Sequence, residues 1–166
     1  MDVLTRRERT YTWDDPAALA GAGHGLSGRE FLERIGRGEL PAAPAAATTG
    51  IEPVEVGDGV VVFSLEPHEW HYNPLGSVHG GILATLADTA LGCAVHTRLP
   101  PGTGYTSLDL TIKFTRPATL ASGTLTCTGT VVAMGRRTAT AEARIVDASG
   151  RLVAQALATC LLMPVG

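Results

Sequence analysis

At 166 residues, 45% hydrophobic and 17% charged, with a formal net charge of −3, the chain has the make-up of one globular domain with a small appendage. That balance excludes a disordered polymer, and the slightly acidic charge, without basic runs or an aromatic platform, argues against a nucleic-acid binder. No apolar segment approaches the roughly 20 residues that a membrane-spanning helix needs, so no membrane partner is expected.

The N-terminus, Met1 to Arg9, is charged and lacks the apolar stretch of a secretory signal. Cys93, Cys127 and Cys160 are odd in number and widely spaced, which fits neither a disulfide framework nor a metal pattern. They read as buried reduced thiols in a cytoplasmic protein. Residues 1–26 are polar, with little periodicity. Ser27-Gly28-Arg29-Glu30 has the form of a capping box and opens a short amphipathic helix carrying Phe31, Leu32 and Ile35. Gly36, Gly38 and Pro41 end that helix, and the Ala/Pro/Thr stretch from Leu40 to Thr49 reads as a linker. Two units follow: an N-terminal extension over 1–50 and a main domain over 51–166.

From Ile51 the pattern changes. Val54-Glu55-Val56 and Val60 to Leu65 flank Gly57-Asp58-Gly59, a strand–turn–strand signal. A loop over 67–78 with Pro67, Pro74 and Gly76 leads into a helix from about Gly80 to His96, apolar nearly all round, of the kind that other structure must wrap. Strand-like runs follow at Thr106–Thr115, Gly123–Met134, Thr138–Asp147 and Leu152–Leu162. The short turns between the later runs imply antiparallel pairing. The expected architecture is α+β, with one buried helix and five or six antiparallel strands.

Two features of the helix point to chemistry. Gly80-Gly81 open it although glycine costs ~1 kcal/mol per helical position relative to alanine, which implies a close approach to the backbone there. N–H groups in a first helical turn lack intrahelical partners, and the helix dipole adds positive character, so Gly80 or Gly81 is placed to polarise a carbonyl. The competing reading is tight helix–sheet packing. Asp88 follows in an otherwise apolar run, where desolvation is expected to raise its pKa and fit it to attack a carbonyl or deprotonate water. The plainer alternative is a core Asp satisfied by Thr85 or Thr89. Eight residues separate Gly80 from Asp88, a rise of about 12 Å. One side chain cannot bridge that span to a carbonyl held at its own helix start. If both act on one substrate, Asp88 comes from a second copy of the helix, as in a symmetric dimer.

Asn73-Pro74-Leu75-Gly76-Ser77-Val78-His79-Gly80-Gly81 followed by Leu86-Ala87-Asp88 resembles the hotdog-fold acyl-CoA thioesterases of the phenylacetate-pathway, or PaaI-like, type. The likeness continues through Ser107-Leu108-Asp109-Leu110, Phe114-Thr115-Arg116-Pro117-Ala118 and Gly135-Arg136-Arg137-Thr138, and covers about residues 51–163. It implies a hotdog fold, subunits paired edge to edge into homodimers and often tetramers, acyl-CoA substrates, and neither a metal nor an organic cofactor. By position it implies that Gly80 or Gly81 donates to the thioester carbonyl and that Asp88 is nucleophile or general base. Asn73 and His79 would orient the substrate, and Ser107 would hold the hydrolytic water.

Each secondary assignment has a plain competitor. His79 either donates a hydrogen bond or fixes the loop–helix junction, Asn73 before Pro74 builds turns, and a strand Ser107 can simply satisfy backbone groups. Arg136 and Arg137 are candidates for CoA phosphates or solvated turn charges, with Arg116 and Lys113 behind them. His68 and His71 lack a third ligand for a metal. The reading is an acyl-CoA thioesterase. A hotdog enoyl-CoA hydratase or dehydratase, and a non-catalytic acyl-CoA binder, are the alternatives.

Overall fold

The computed structural model describes residues 5–165. The N-terminal extension is more helical than its sequence pattern predicts. The nominally irregular 1–26 stretch contains α1 (Pro16–Ala22), started by Pro16 and by Asp15, whose Oδ1 accepts from the Ala17 N–H at 2.9 Å. Ser27 caps α2 (Gly28–Gly36) as expected, its Oγ accepting from the Glu30 N–H at 3.3 Å. Glu30 does not reach back to close the box, because its carboxylate pairs with Arg34 one turn on at 2.8 Å. The expected linker over 40–49 also folds. Pro44 starts α3 (Pro44–Thr49), and Gly50 stops it at φ +76°, the left-handed conformation that glycine tolerates best.

The strands are β1 (Ile51–Val56), β2 (Val60–Leu65), β3 (Thr103–Ser107), β4 (Thr111–Phe114), β5 (Leu125–Met134), β6 (Thr138–Val146) and β7 (Leu152–Pro164). They form one antiparallel sheet in the order β1-β2-β5-β6-β7-β3, with β4 also on β7. The seventh strand arises because the run Thr106–Thr115 is two strands. Ser107 pairs with Cys160 and Thr111 with Leu157, so β3–β4 spends one residue more than β7 over the same span. Leu108 N–H donates to Thr159 O at 2.8 Å, and Asp109 Oδ1 accepts from the Thr159 N–H at 2.9 Å. The Asp109 carboxylate thereby replaces the ladder bond lost at the break.

The long helix α4 (Gly80–His96) lies across the inner face of the sheet and touches β2, β3, β5, β6 and β7. Leu83, Leu86, Ala87, Ala90, Leu91, Ala94 and Val95 face inward onto Val61, Leu65, Leu125, Cys127, Ala141, Ile145 and Val153. Alanines on both surfaces let them approach closely. At Gly129 a Cβ would overlap the Ala90 carbonyl, so glycine sets the distance between β5 and the helix. A similar contact joins the extension to the domain: Gly28 N–H donates to Leu99 O at 3.0 Å, and a Cβ there would overlap the His96 carbonyl. Cys93, Cys127 and Cys160 are free thiols, and burial pushes Cys93 and Cys127 up to about 12. The Asp147–Arg151 turn is built around Asp147, whose carboxyl is held well below the usual range, first by the Ser149 hydroxyl and then by Arg151.

One flank of α4 is left uncovered by the sheet. Gly81 and Asp88 are exposed there, with Ala84 and Thr85 between them half-buried. The apolar enclosure expected around Asp88 is therefore not supplied by a single chain.

Candidate active site

The loop into α4 is organised by Asn73. Its Oδ1 accepts from the Leu75 N–H at 2.9 Å and the Ser77 N–H at 3.3 Å, while Nδ2 donates to Ser77 Oγ at 3.1 Å. This is the turn-building use of an Asn before proline. His79 then caps the helix: its Nδ1 accepts from the Gly81 N–H at 2.8 Å, and its own N–H donates to His71 O at 2.8 Å. An accepting Nδ1 carries no proton, so the neutral ring holds its proton on Nε2, where it is an available donor.

This cap separates the roles of the two glycines. The Gly81 N–H is already engaged by the His79 ring, which removes it as a donor to a substrate carbonyl. Among the described residues nothing accepts from the Gly80 N–H. Gly80 lines a groove of about 390 Å³ with Asn73, Ser77, Phe114 and Arg116. A Cβ at Gly80 would stand 3.1 Å from Phe114 Cζ, so the bare backbone is what leaves this groove open beside the ring. An unpartnered N–H at the positive end of a 17-residue helix is suited to an anion or a polarised carbonyl oxygen.

Asp88 belongs to a second groove, also of about 390 Å³, with Ala84, Thr85, Ser107, Leu108 and Leu110 on its walls. Ser107 Oγ donates to Asp88 Oδ1 at 2.8 Å. The threonines do not serve the carboxylate: Thr85 Oγ1 donates to Gly81 O at 2.9 Å and Thr89 Oγ1 to Thr85 O at 2.7 Å. Ser107 and Asp88 thus form one unit, a carboxylate oriented by a hydroxyl and open on its other side.

The sheet keeps the two grooves apart. Ser107 lies opposite Cys160 and Phe114 opposite Ala154, six residues apart on β7 and so about 20 Å. Of the arginines, Arg116 stands in the Gly80 groove. Arg136 and Arg137 are exposed in the β5–β6 turn, next to Thr138, which pairs with Leu161. That places them toward the Ser107 end of the sheet and away from Gly80. His71 is a buried strut: Nδ1 accepts from the His68 N–H at 3.0 Å, and Nε2 sits 2.8 Å from Thr49 O. Burial lowers its pKa. Among the described residues no group of three or more His, Cys, Asp or Glu is placed to hold a metal ion.

Two contributors were not singled out by sequence reasoning. Phe114 opens the Phe114–Ala118 motif without a chemical signal of its own, and its place against Gly80 depends on a long-range pairing that no local pattern encodes. Asp109 carried a usable signal, since aspartate is disfavoured inside a strand.

Comparison with known proteins agrees with this architecture. Residues 75–154 match the thioesterase superfamily model, a span that includes Gly80, Asp88 and Ser107. A proposed esterase of Halobacterium salinarum is 35% identical over 102 residues, which is 58% of this chain and 66% of that one, just under two thirds of its length. The acyl-coenzyme A thioesterase PaaI of Escherichia coli is 32% identical over 109 residues, 66% of this chain and 75% of that one. The solved structure of the E. coli PaaI protein from the phenylacetic acid degradation operon superposes with a TM-score of 0.71 at 27% identity, covering 85% of this chain and 96% of that one. No helix of the described residues is long and apolar enough to cross a membrane. The central helix on its antiparallel sheet, the matched span and these likenesses together place the chain in the thioesterase superfamily, as a hotdog-fold hydrolase of the PaaI-like type.

Proposed function

We propose that the protein hydrolyses acyl-CoA thioesters to a carboxylic acid and CoA at sites shared between two subunits. The observation that carries this reading is the separation of the free Gly80 N–H from the Asp88–Ser107 pair, each in its own groove. In the composite site Gly80 of one subunit donates to the thioester oxygen, where developing negative charge also meets the helix dipole. Asp88 of the other subunit, oriented by Ser107, either takes the proton of a water that attacks the carbonyl carbon or adds to that carbon itself, giving a mixed anhydride that water then cleaves to free the acid and Asp88. The thiolate of CoA leaves. Asn73 shapes the loop that carries His79, and the His79 Nε2–H is the second donor for the substrate. Arg116 in the Gly80 groove, and Arg136 and Arg137 near the Asp88 end, are the cations available to CoA phosphates.

The surface supports pairing of two chains. The β3–β4 edge exposes Leu108 (57%) and Phe114 (52%), the first on the wall of the Asp88 groove and the second on that of the Gly80 groove. A second copy covering this edge removes both from water and encloses Asp88.

The test is release of free thiol from a panel of acyl-CoAs, followed with a thiol reagent. Thiol release abolished by Asp88→Asn in a folded protein supports the reading. Hydration of an enoyl-CoA without thiol release assigns the site to a hydratase, and tight binding with no turnover assigns it to a binding protein.

A further inference from the structure

Residues 5–15 run ahead of α1 without helix or strand, yet they are tied to the segment that leads into α4. Arg9 donates from Nη1 to Thr48 O at 2.7 Å and from Nη2 to Ala47 O at 3.3 Å. Its guanidinium also lies over two rings, 4.6 Å from the centroid of Trp70 and 5.1 Å from that of Tyr11. His68 stacks on Trp70 at 4.0 Å, and Arg7 pairs with Glu69 at 2.7 Å. Ala47, Thr48 and Thr49 close α3, and carbonyls in a final helical turn have no intrahelical partner. Arg9 takes the first two. Because His71 Nδ1 accepts from the His68 N–H, the ring proton is on Nε2, which donates to the third, Thr49 O, at 2.8 Å. From His71 the bonds continue into the site. His71 O accepts from the His79 N–H at 2.8 Å, and His79 Nδ1 from the Gly81 N–H at 2.8 Å, which sets the helical turn that presents the Gly80 N–H.

From this unbroken series of bonds we propose that Arg9 is a positioning residue for thioester hydrolysis: by holding the end of α3 against His71, it fixes the His79 cap and with it the Gly80 N–H and His79 Nε2–H donors. This rests on the thioesterase reading above, and it gives the N-terminal segment a part in the reaction. A helix of six residues is too short to hold its place alone, so the end of α3 stays where its partners keep it. Burial pushes the His71 pKa down, and the neighbouring His68 and Arg9 act in the same direction, which keeps the ring neutral and its Nδ1 an acceptor. Without Arg9, two carbonyls of the α3 end turn to water, and the Thr49 O–His71 bond loses its fixed anchor. Oxyanion donors act only from a narrow range of positions, and about 1 Å of misplacement can cost ~10²-fold in rate. A tie that merely stabilised the fold would leave kcat alone.

The test measures kcat and KM for thiol release in the wild type, Arg9→Lys, Arg9→Ala and the double variant Arg9→Ala/Gly80→Ala. Arg9→Ala lowers kcat by roughly 10–100-fold with KM near wild type, the pattern of an interaction lost in the transition state. Arg9→Lys keeps the charge but not the planar fork that spans two carbonyls, so its loss is intermediate. It carries the same test should the alanine variant fail to fold. The double variant falls by less than the product of the two single losses, because both act on one donor. Wild-type kcat in Arg9→Ala, a rise in KM alone, or single losses that multiply in full overturns the proposal. Amide hydrogen exchange followed by NMR gives a second readout that does not depend on turnover. In the Arg9 variants exchange quickens at His79 and Gly81, while amides in the interior of α4 keep their rates. If the wild type hydrolyses no thioester, the functional reading fails, and this exchange pattern still supports the positioning role. Unchanged exchange, or an even rise along α4, refutes it.

Discussion

Substituting the two adjacent glycines separately distinguishes their roles. In Gly80→Ala the new methyl stands 3.1 Å from Phe114 Cζ, closer than ordinary van der Waals contact. The neighbour is the tip of a half-exposed ring, which can move a few tenths of an ångström. Alanine is also the better helix former, so the fold survives with Tm within a few degrees of wild type. The methyl nevertheless fills the approach to the free N–H. Loss of one oxyanion donor costs about 2.7–4 kcal/mol, so kcat for thioester hydrolysis falls ~10²–10³-fold. Gly81→Ala places its methyl 3.1 Å from His79 Nδ1, on an N–H that never faced the substrate, and the expected loss is well under that of Gly80→Ala. The assay is steady-state thiol release beside thermal melting of each variant. Equal losses at the two positions, or near-wild-type kcat in Gly80→Ala, would refute the assignment of the donor to Gly80.

Further outcomes follow from the same contacts. Ser107→Ala removes the 2.8 Å bond to Asp88, and since a hydrogen bond to a charged group is worth about 1.5–3 kcal/mol, kcat drops by roughly 10–100-fold with little change in Tm; no loss would detach Ser107 from the site. Gly129→Ala drives a methyl into the Ala90 carbonyl and destabilises by about 1–3 kcal/mol or more, measurable by urea unfolding, while a neutral result would show that the helix–sheet spacing is not fixed there. His71 and His96 both have pKa values lowered by burial, so the folded state binds fewer protons than the unfolded one. Their contribution is intact above about pH 6.5 and is lost as pH falls through and below that value. Melting between pH 7.5 and 5.5 therefore shows a falling Tm, with a shallower slope in His71→Gln, and an unchanged slope would contradict the role given to His71.

The parts of the fold written in local chemistry were readable from the sequence. Ser27 and Glu30 marked a helix start, Gly57-Asp58-Gly59 a turn, and the apolar run after His79 the central helix with its limits. The helices of the extension are hidden in the sequence for a specific reason. Pro44 and Gly50 are start and stop signals for α3, but the five residues of Ala and Thr between them, without an apolar stripe, resemble a linker, and their helicity depends on docking beside β1. The break at Leu108–Leu110 was hidden because its apolar residues continue the strand pattern, with Asp109 the single dissent. At the site, glycine, aspartate and their spacing were legible. The engagement of the Gly81 N–H was not, because it follows from the rotamer of His79. Nor was the exposure of Asp88, since periodicity reports that a helix face is apolar and not which chain covers it.

Subunit complementation tests the shared site most directly. Asp88→Asn and Gly80→Ala proteins, each inactive alone, are mixed under conditions of subunit exchange, with heterodimers verified by native mass spectrometry. Each heterodimer holds one site with both Gly80 and Asp88 intact and one with neither, so a random 1:1 mixture recovers about a quarter of wild-type activity. Activity no higher than the sum of the two parents, with heterodimers present, would contradict a site built from two helices.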